Sequence, residues 1–337
     1  MLRSAADFVP ERCRNGIMQA GRSGRWKGNA LKHLRFLHYF DAVARAGSIR
    51  KAAEQLNVTS SAVNRRIMDL EQELDTPLFE RRPRGVRLTA AGELFVHYVR
   101  EQTADLDRIR SRIEDLKGMR RGTVRLSASQ ALALEFLPRE VAAYRARFPL
   151  VHFDVRVQDH NRAMESLASY DVDLVLVFRP PYLPNFRPLI SFEQRLVAIL
   201  PANHPLAGRP TLRLRDCARY PVALAEPGIG GRQLLDEALA RKNLRFDIVA
   251  QSNSFEFLRH LVMRDNVISF QIAIGAQSDE ARGLVIRDID ERDAPRGDLV
   301  LGQLNGRNLP LASAKFVEQL TQSLLAMRRD DTEKPAA

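Results

Sequence analysis

Between Thr59 and Pro77 the chain spells a short helix with two unlike sides, and few folds have a use for both. Val63, Ile67, Leu70 and Leu74 recur at steps of three and four, so at about 100° per residue they gather on one side. Ser60, Ser61, Asn64 and Arg65 point about a third of a turn or more away from them. Thr59 can cap this helix, and Pro77 is expected to end it. Two more short apolar stripes precede it. Leu34, Leu37, Phe40, Val43 and Ala44 form the first, which Gly47 stops; Ala52, Ala53 and Leu56 form the second, which Ser48 can cap and Asn57 breaks. Residues 31–92 therefore predict a compact helical head. From about Ile49 to Met68 it has helix-turn-helix geometry, with the third helix gripped by one face and free on the other.

The free face carries chemistry for reading a duplex. Asn can bind adenine bidentately and Arg can bind guanine the same way, and Asn64 and Arg65 sit near the helix start, where base readers stand. Arg66 lies nearer the flank and suits a phosphate, and Ser48 and Lys51 begin the second helix, where they can donate to the backbone. Met68 also faces outward, with no role assigned. After Leu78-Phe79 comes a basic turn, Arg81-Arg82-Pro83-Arg84-Gly85, between short extended segments. The formal charge of +11 agrees with a polyanionic partner, nucleic acid or an anionic membrane surface. No apolar run approaches the roughly 18 residues that span a bilayer. Arg12, Arg14, Arg22 and Arg25 are followed by no apolar stretch of the kind a signal peptide needs. Residues 1–30 read as a disordered basic tail, with Met18 as an alternative start. Cys13 and Cys217 are too far apart for a disulfide framework or zinc spacing, so no metal is expected. Both read as reduced thiols, Cys217 as a small core residue, and the compartment as cytoplasmic.

From Ala90 to about Lys117 there is no proline, and Thr89 can cap a long helix. Phe95, Val99, Leu106, Ile109, Ile113 and Leu116 make a coiled-coil-like seam over residues 93–118, broken at Gln102-Thr103. Such a seam calls for a partner helix, in a second copy of the chain or in its own body. Gly118 to Gly122 reads as a hinge, and 122–327 as an α/β body of alternating strands and helices. Its strands include Thr123–Leu126, Val151–Val157, Val172–Phe178, Arg195–Leu200, Val222–Leu224, Ile248–Gln251, Val267–Phe270 and Leu299–Leu301. Its helices lie near Arg232–Ala240, Phe255–Met263 and Ala314–Met327, and 328–337 reads as a polar tail.

Leu34, Phe40, Val43, Gly47-Ser48, Ala52-Ala53, Leu56, Ala62-Val63, Ile67, Leu70-Glu71, Leu74, Leu78-Phe79, Arg81, Leu88-Thr89 and Ala91-Gly92 occur together and in register. With them the chain resembles the N-terminal domain of the bacterial LysR-type transcriptional regulators, continuously from Leu31 to Gly92. It departs from the family at Asn64, often Ser, at Arg66, often Gln, and at Asp75, usually Gly. The resemblance implies a winged helix-turn-helix, with Arg81–Arg87 as the wing and Arg84, beside Arg82, in the minor groove. It also implies α+β architecture overall: head, long linker helix, then a two-lobed domain like a periplasmic binding protein, its second lobe about 196–290.

Leu137-Pro138, Phe148-Pro149, Asp173 in Asp-Leu-Val-Leu-Val, and His204-Pro205-Leu206-Ala207 carry the resemblance through the body, whereas Val267-Ile268-Ser269-Phe270-Gln271 replaces the family's glycine-rich strand end. The resemblance implies a small-molecule effector, a small organic acid or other polar metabolite, held between the lobes. By position it would touch Ser129 and Gln130, His160 and Asn161, Phe178 on the hinge side, and Gly228, Gly230 and Gly231, which open the helix containing Arg232. Each of these residues also has an ordinary reading as a cap or turn. The partners implied are double-stranded DNA, a second copy through the linker helix, a homotetramer of two such dimers, and RNA polymerase as a candidate, with no membrane. Lobe angle would then set the spacing of the heads and DNA bending. An enzyme is disfavoured, because no nucleophile elbow, Walker loop, H-E-x-x-H or dinucleotide fingerprint occurs. A basic architectural DNA protein remains the other alternative.

Overall fold

In the computed structural model the described residues are 35–116, 121–276 and 283–333. The tail 1–30, Leu34, Cys13, Met18 and the first residues of the expected hinge lie outside them. Residues up to Val96 form one compact unit and those from His97 another.

In the first unit α1 (Arg35–Ala46) buries Leu37, Phe40 and Val43. α2 (Ile49–Leu56) is capped by Ser48, whose hydroxyl accepts from the Lys51 N–H at 3.4 Å, and ends on Asn57 in the left-handed region. α3 (Ser60–Glu73) is capped by Thr59, which accepts from the Ala62 N–H at 3.3 Å. Val63, Ile67 and Leu70 are buried, but Leu74, expected on the same face, is 43% exposed. The reason is where the helix stops. It ends before Pro77 because Asp75 takes a φ of +48°, the conformation that explains why the family favours glycine there. β1 (Phe79–Arg82) and β2 (Gly85–Leu88) pair antiparallel as a two-stranded wing. Gly85, at φ +140°, lies so close to the turn before α2 that an added Cβ would stand 2.2 Å from the Gly47 carbonyl oxygen. The adjacent Val86 N–H donates to that same oxygen at 2.9 Å, which locks the wing to the helix-turn-helix.

α4 runs Ala90–Leu116, close to the Ala90 to Lys117 stretch that the sequence reads as one long helix. Its first turns belong to the head: Phe95 packs edge-on against Phe40, ring centroids 4.9 Å apart. The expected seam divides. Val99 is buried, whereas Ile109 and Ile113, with Leu94 and Tyr98 outside the seam, are exposed.

The second unit has two lobes. β3 (Gly122–Ala128) opens the first, with Gly122 already paired to Val151, so strand begins inside the segment read as a hinge. α5 (Phe136–Arg147), β4 (Val151–Val157), α6 (His160–Ala168), β5 (Leu174–Phe178) and β6 (Phe186–Gln194) follow. The chain crosses to the second lobe at β7 (Leu196–Pro201) and continues through β8 (Thr211–Leu212), α7 (Leu214–Cys217), β9 (Pro221–Ala225), α8 (Arg232–Arg241), β10 (Asp247–Ser252), α9 (Phe255–Val262), β11 (Ser269–Ile272) and β12 (Leu284–Ile289). It returns as β13 (Gly297–Leu304) and closes with α10 (Leu311–Glu333), helical past Arg328, where a polar tail was expected.

The first-lobe sheet is ordered β4-β3-β5-β13-β6, parallel through β4, β3 and β5 and antiparallel at β13 and β6. The second lobe has the order β11-β7-β12-β8, with the parallel pair β10-β9 joined to it by a Val222–Ile268 bridge. Parallel strands covered by helices read as continuous apolar runs, which is why Leu174 to Phe178 is wholly buried. The Asp173 carboxylate just before β5 is buried and pairs with the Arg307 guanidinium, which also donates to the Val172 carbonyl at 3.0 Å. Cys217 is buried in the second-lobe core, as expected.

Candidate nucleic-acid interface and effector cleft

The polar face of α3 stands clear of the head core. Ser60, Ser61, Arg65, Arg66 and Met68 are exposed, and Asn64 is half-buried. Thr59 and Ser61 share a hydrogen bond at 3.1 Å, so two hydroxyls are set together at the helix start. Asn64 is held from two sides. Its carbonyl oxygen accepts from Arg81 of the wing at 2.9 Å, and its amide nitrogen lies 3.5 Å from the Met68 sulfur. Met68 thereby gains a part, and Arg81, not among the expected contacts, joins the reading helix to the wing. The link spans 17 residues, so no local pattern announced it. Arg66 leans on Asp69 at 3.4 Å and Arg82 on Glu80 at 3.1 Å. These exposed pairs are weak and free to exchange for phosphate. Arg84 is exposed at the wing turn, and Lys51 is exposed in the first turn of α2.

Glu71, on the other flank of α3, enters the sequence reading only as part of the family pattern, with no contact assigned to it. One of its oxygens accepts from the Leu78 N–H at 2.7 Å and the Phe79 N–H at 3.0 Å. A single carboxylate thus fixes where the wing leaves the reading helix.

Between the two lobes of the second unit, Ser129 is buried at the end of β3, and its hydroxyl accepts from the Phe178 N–H at 3.1 Å. Gln130 opens a one-turn helix, Gln130–Leu132. His160 and Asn161 open α6, whose N-terminus is already capped by Asp159 accepting from the Arg162 N–H at 3.0 Å. That carboxylate makes the α6 end a poor seat for an anion. Phe178 is buried; a Cβ on Gly297, at the return crossing, would meet its ring at 2.5 Å, so it is a wall of the hinge. Gly228 and Gly230 have positive φ, and Gly231 precedes α8. In the first turn of α8, Arg232 donates to Asp236 and to the Ala225 carbonyl. Ser129, Gln130 and Phe178 come together at one lip, and the Gly228–Gly231 loop lies on the other lobe. The lobes are bridged by Arg179, after β5, to Glu237 of α8 at 2.9 Å. A cavity of about 460 Å³ lies elsewhere, on the second lobe, lined by Arg195, Gly208, Pro210, Ile286, Arg287 and Asp288. The Arg195–Asp288 pair at 2.8 Å and the Arg287 bond to the Ala207 carbonyl already engage its charges. Among the described residues no cluster of three or more His, Cys, Asp or Glu could hold a metal, and no helix is long and apolar enough to cross a membrane.

Such a head followed by a two-lobed α/β body defines a ligand-responsive DNA-binding regulator. Residues 34–93 match the family model described as the bacterial regulatory helix-turn-helix protein, lysR family, and residues 117–325 match the LysR substrate binding domain. The chain belongs to the LysR family of transcriptional regulators, not to an enzyme family. A RuBisCO operon transcriptional regulator of Allochromatium vinosum is 33% identical over 209 residues, 62% of this chain and 69% of that protein. The transcriptional dual regulator GltC of Bacillus subtilis is 33% identical over 204 residues, 60% of this chain and 67% of that protein. Among solved structures, a full-length OxyR point variant from Pseudomonas aeruginosa superposes with a TM-score of 0.65 at 17% identity, covering 86% of this chain and 94% of that one. Full-length CbnR complexed with its target DNA superposes at 0.57 with 19% identity, covering 86% and 99%.

Proposed function

We propose that the protein reads operator DNA with Thr59, Ser60, Ser61, Asn64 and Arg65 in the major groove and Arg84, beside Arg82, in the minor groove. Ser48, Lys51 and Arg66 hold phosphates, and Arg81 braces Asn64. The observation that carries this reading is the exposed polar start of α3 standing beside an arginine-bearing wing tied back to it through Asn64 and Glu71. CbnR, which shares the fold, is seen on its target DNA. The effector is a small organic acid between the lobes, met by Ser129, Gln130 and the Gly228–Gly231 loop, with Phe178 behind it and His160 and Asn161 at the rim. The exposed Leu94, Tyr98, Ile109 and Ile113 on α4 support pairing with a second copy, and two such dimers would make a tetramer. The site of action is the cytoplasm, with RNA polymerase as the further partner.

The test is to sequence genomic fragments retained by the purified chain and footprint the best of them. A discrete, dyad-like protected site is expected. Asn64→Ala or Arg65→Ala should then cost about 1–3 kcal/mol at one base position. Lys51→Ala should weaken all duplexes alike and flatten the salt dependence. Broad coating of DNA, or equal behaviour of the two kinds of variant, refutes the assignment.

A further inference from the structure

Two amide side chains, Gln271 buried and Gln130 half-buried, each bury a polar atom that lacks a partner, one on each lobe. Gln271, on β11 of the second lobe, is 2% exposed, and its Nε2 has no hydrogen-bond partner. Gln130, in the first lobe, buries an Oε1 that is equally unpartnered. Gln271 and Ala131, the residue next to Gln130, meet at one spot. A Cβ built on Gly275 would lie 2.3 Å from Gln271 Nε2, 2.5 Å from the Ala131 carbonyl oxygen and 2.8 Å from the Ala131 Cβ. Gly275 therefore lets the residue next to Gln130 approach the end of the Gln271 side chain. Ser129 adjoins them; its hydroxyl accepts from the Phe178 N–H, which leaves its own proton to donate.

Buried polar groups are nearly always paired, and leaving one unpaired costs folding free energy that an apolar residue of similar shape would not. Here an orphan donor on one lobe accompanies an orphan acceptor on the other. A plain carboxylate offers acceptors only. It can take the Gln271 N–H, but with the Gln130 amide oriented as it stands it meets an oxygen there. With both amides oriented as they stand, a molecule that satisfies both carries an acceptor oxygen and an O–H or N–H donor.

We infer that Gln271 and Gln130 select the effector by reading such a pair, so that the ligand class is a 2-hydroxy or 2-amino acid rather than an unsubstituted acid. The inference rests on the effector cleft proposed above. Gln271 Nε2 donates to a ligand oxygen, the ligand's own donor goes to Gln130 Oε1, and Ser129 can add a second donor. Because the two amides belong to different lobes, such a ligand prefers the lobes together, which is the differential affinity that a switch requires.

The probe is a panel of small 2-hydroxy and 2-amino acids, each paired with the parent acid lacking that donor, such as malate with succinate. Titration calorimetry and thermal shift on the full chain read the binding. At least one donor-bearing member should bind about tenfold or more tighter than its parent, as one satisfied hydrogen bond implies. Gln271→Leu should raise the melting temperature of the free chain while erasing that discrimination. Gln130→Met, on the other lobe, should erase it too, which guards against a misfolded first variant. A panel with no donor-dependent binder overturns the inference, as does discrimination that survives both substitutions. Either result leaves the footprint, and with it the regulatory reading, standing.

Discussion

Glu71 offers the sharpest test of how the head is built. Replacing it by alanine removes the carboxylate, whose one oxygen serves both bonds, and strands two backbone donors, those of Leu78 and Phe79, residues that are 1% and 9% exposed. A hydrogen bond to a charged group contributes about 1.5–3 kcal/mol, and a stranded donor costs about 1–3 kcal/mol. Glu71 is itself only half-buried, so the low end applies to each bond, and Glu71→Ala should cost about 2–4 kcal/mol. In a unit of this size 1 kcal/mol moves the melting temperature by about 4–8 °C, so the transition of the head should fall by roughly 10–25 °C. Glu71→Gln keeps an oxygen in place and gives up only the charge, so its cost should stay below about 1.5 kcal/mol. Circular dichroism melts report the stability, and operator retention at low temperature reports the wing. Equal losses for Ala and Gln, or an Ala loss under about 0.5 kcal/mol, would show that the carboxylate does not hold the wing.

Three other perturbations test the second unit. Burial pushes the Cys217 thiol up to about 12, so at pH 8 a maleimide should label the Cys217 peptide only after denaturant is added, as read by mass spectrometry. His204 accepts from the Leu206 N–H on Nδ1, leaves Nε2 buried without a partner, and has its pKa lowered by burial. The folded chain then binds fewer protons than the unfolded one below about pH 6.5, so this contribution is full above that pH and lost as pH falls toward the lowered value. His204→Asn should flatten the slope of urea midpoint against pH below 6.5; an unchanged slope assigns it to other groups. Arg307→Met leaves the Asp173 carboxylate, whose other oxygen already lacks a partner, buried and unpaired, at a cost of about 3–5 kcal/mol. Adding Asp173→Asn should recover part of that loss, and strictly additive melting shifts would mean that the two groups do not act as a pair.

Local chemistry was legible in the sequence, and chemistry across the chain was not. The Ser48 and Thr59 caps and the left-handed stop at Asn57 depend on neighbours within three or four residues, so spacing predicts them. The tie of Glu71 to the wing spans seven or eight residues, that of Arg81 to Asn64 spans 17, and each depends on a turn whose geometry spacing does not encode. β6 escaped because Pro188 and charged residues break its pattern; as the edge strand it tolerates a proline, which faces Gly302 where the register shifts. β11 lies two residues beyond the expected Val267–Phe270, because Ile268 leaves the ladder to bridge Val222. A continuous apolar run carries no alternation from which to set register. The sequence names Gln130 by its position in the family alone and Gln271 only as part of a departure from the family's glycine-rich strand end; neither local pattern shows that these amides would hold unpartnered atoms.

The contacts that join the lobes are of unequal kinds, and their sizes say what an effector must supply. Arg179 and Glu237 meet at 2.9 Å, but their side chains are 32% and 43% exposed. Solvent screening limits such a pair to about 0.2–1 kcal/mol, a factor of at most about five between joined and parted lobes. A second meeting point, Ala131 against Gly275, is small and apolar, with orphan amide atoms beside it that oppose closure while unpaired. Beside the crossing the Ile274 N–H of the second lobe also donates to Gln194 Oε1 of β6 at 2.7 Å, so the charged bridge is the weak part of the lobe contact, and two unsatisfied groups oppose it. Carrying a two-state equilibrium from about 1:99 to 99:1 takes roughly a 10⁴-fold preference of the ligand for one state. Neither charge on the rim can provide that. Groups that gain partners only when a ligand spans both lobes can, because their pairing energy is absent from every other arrangement.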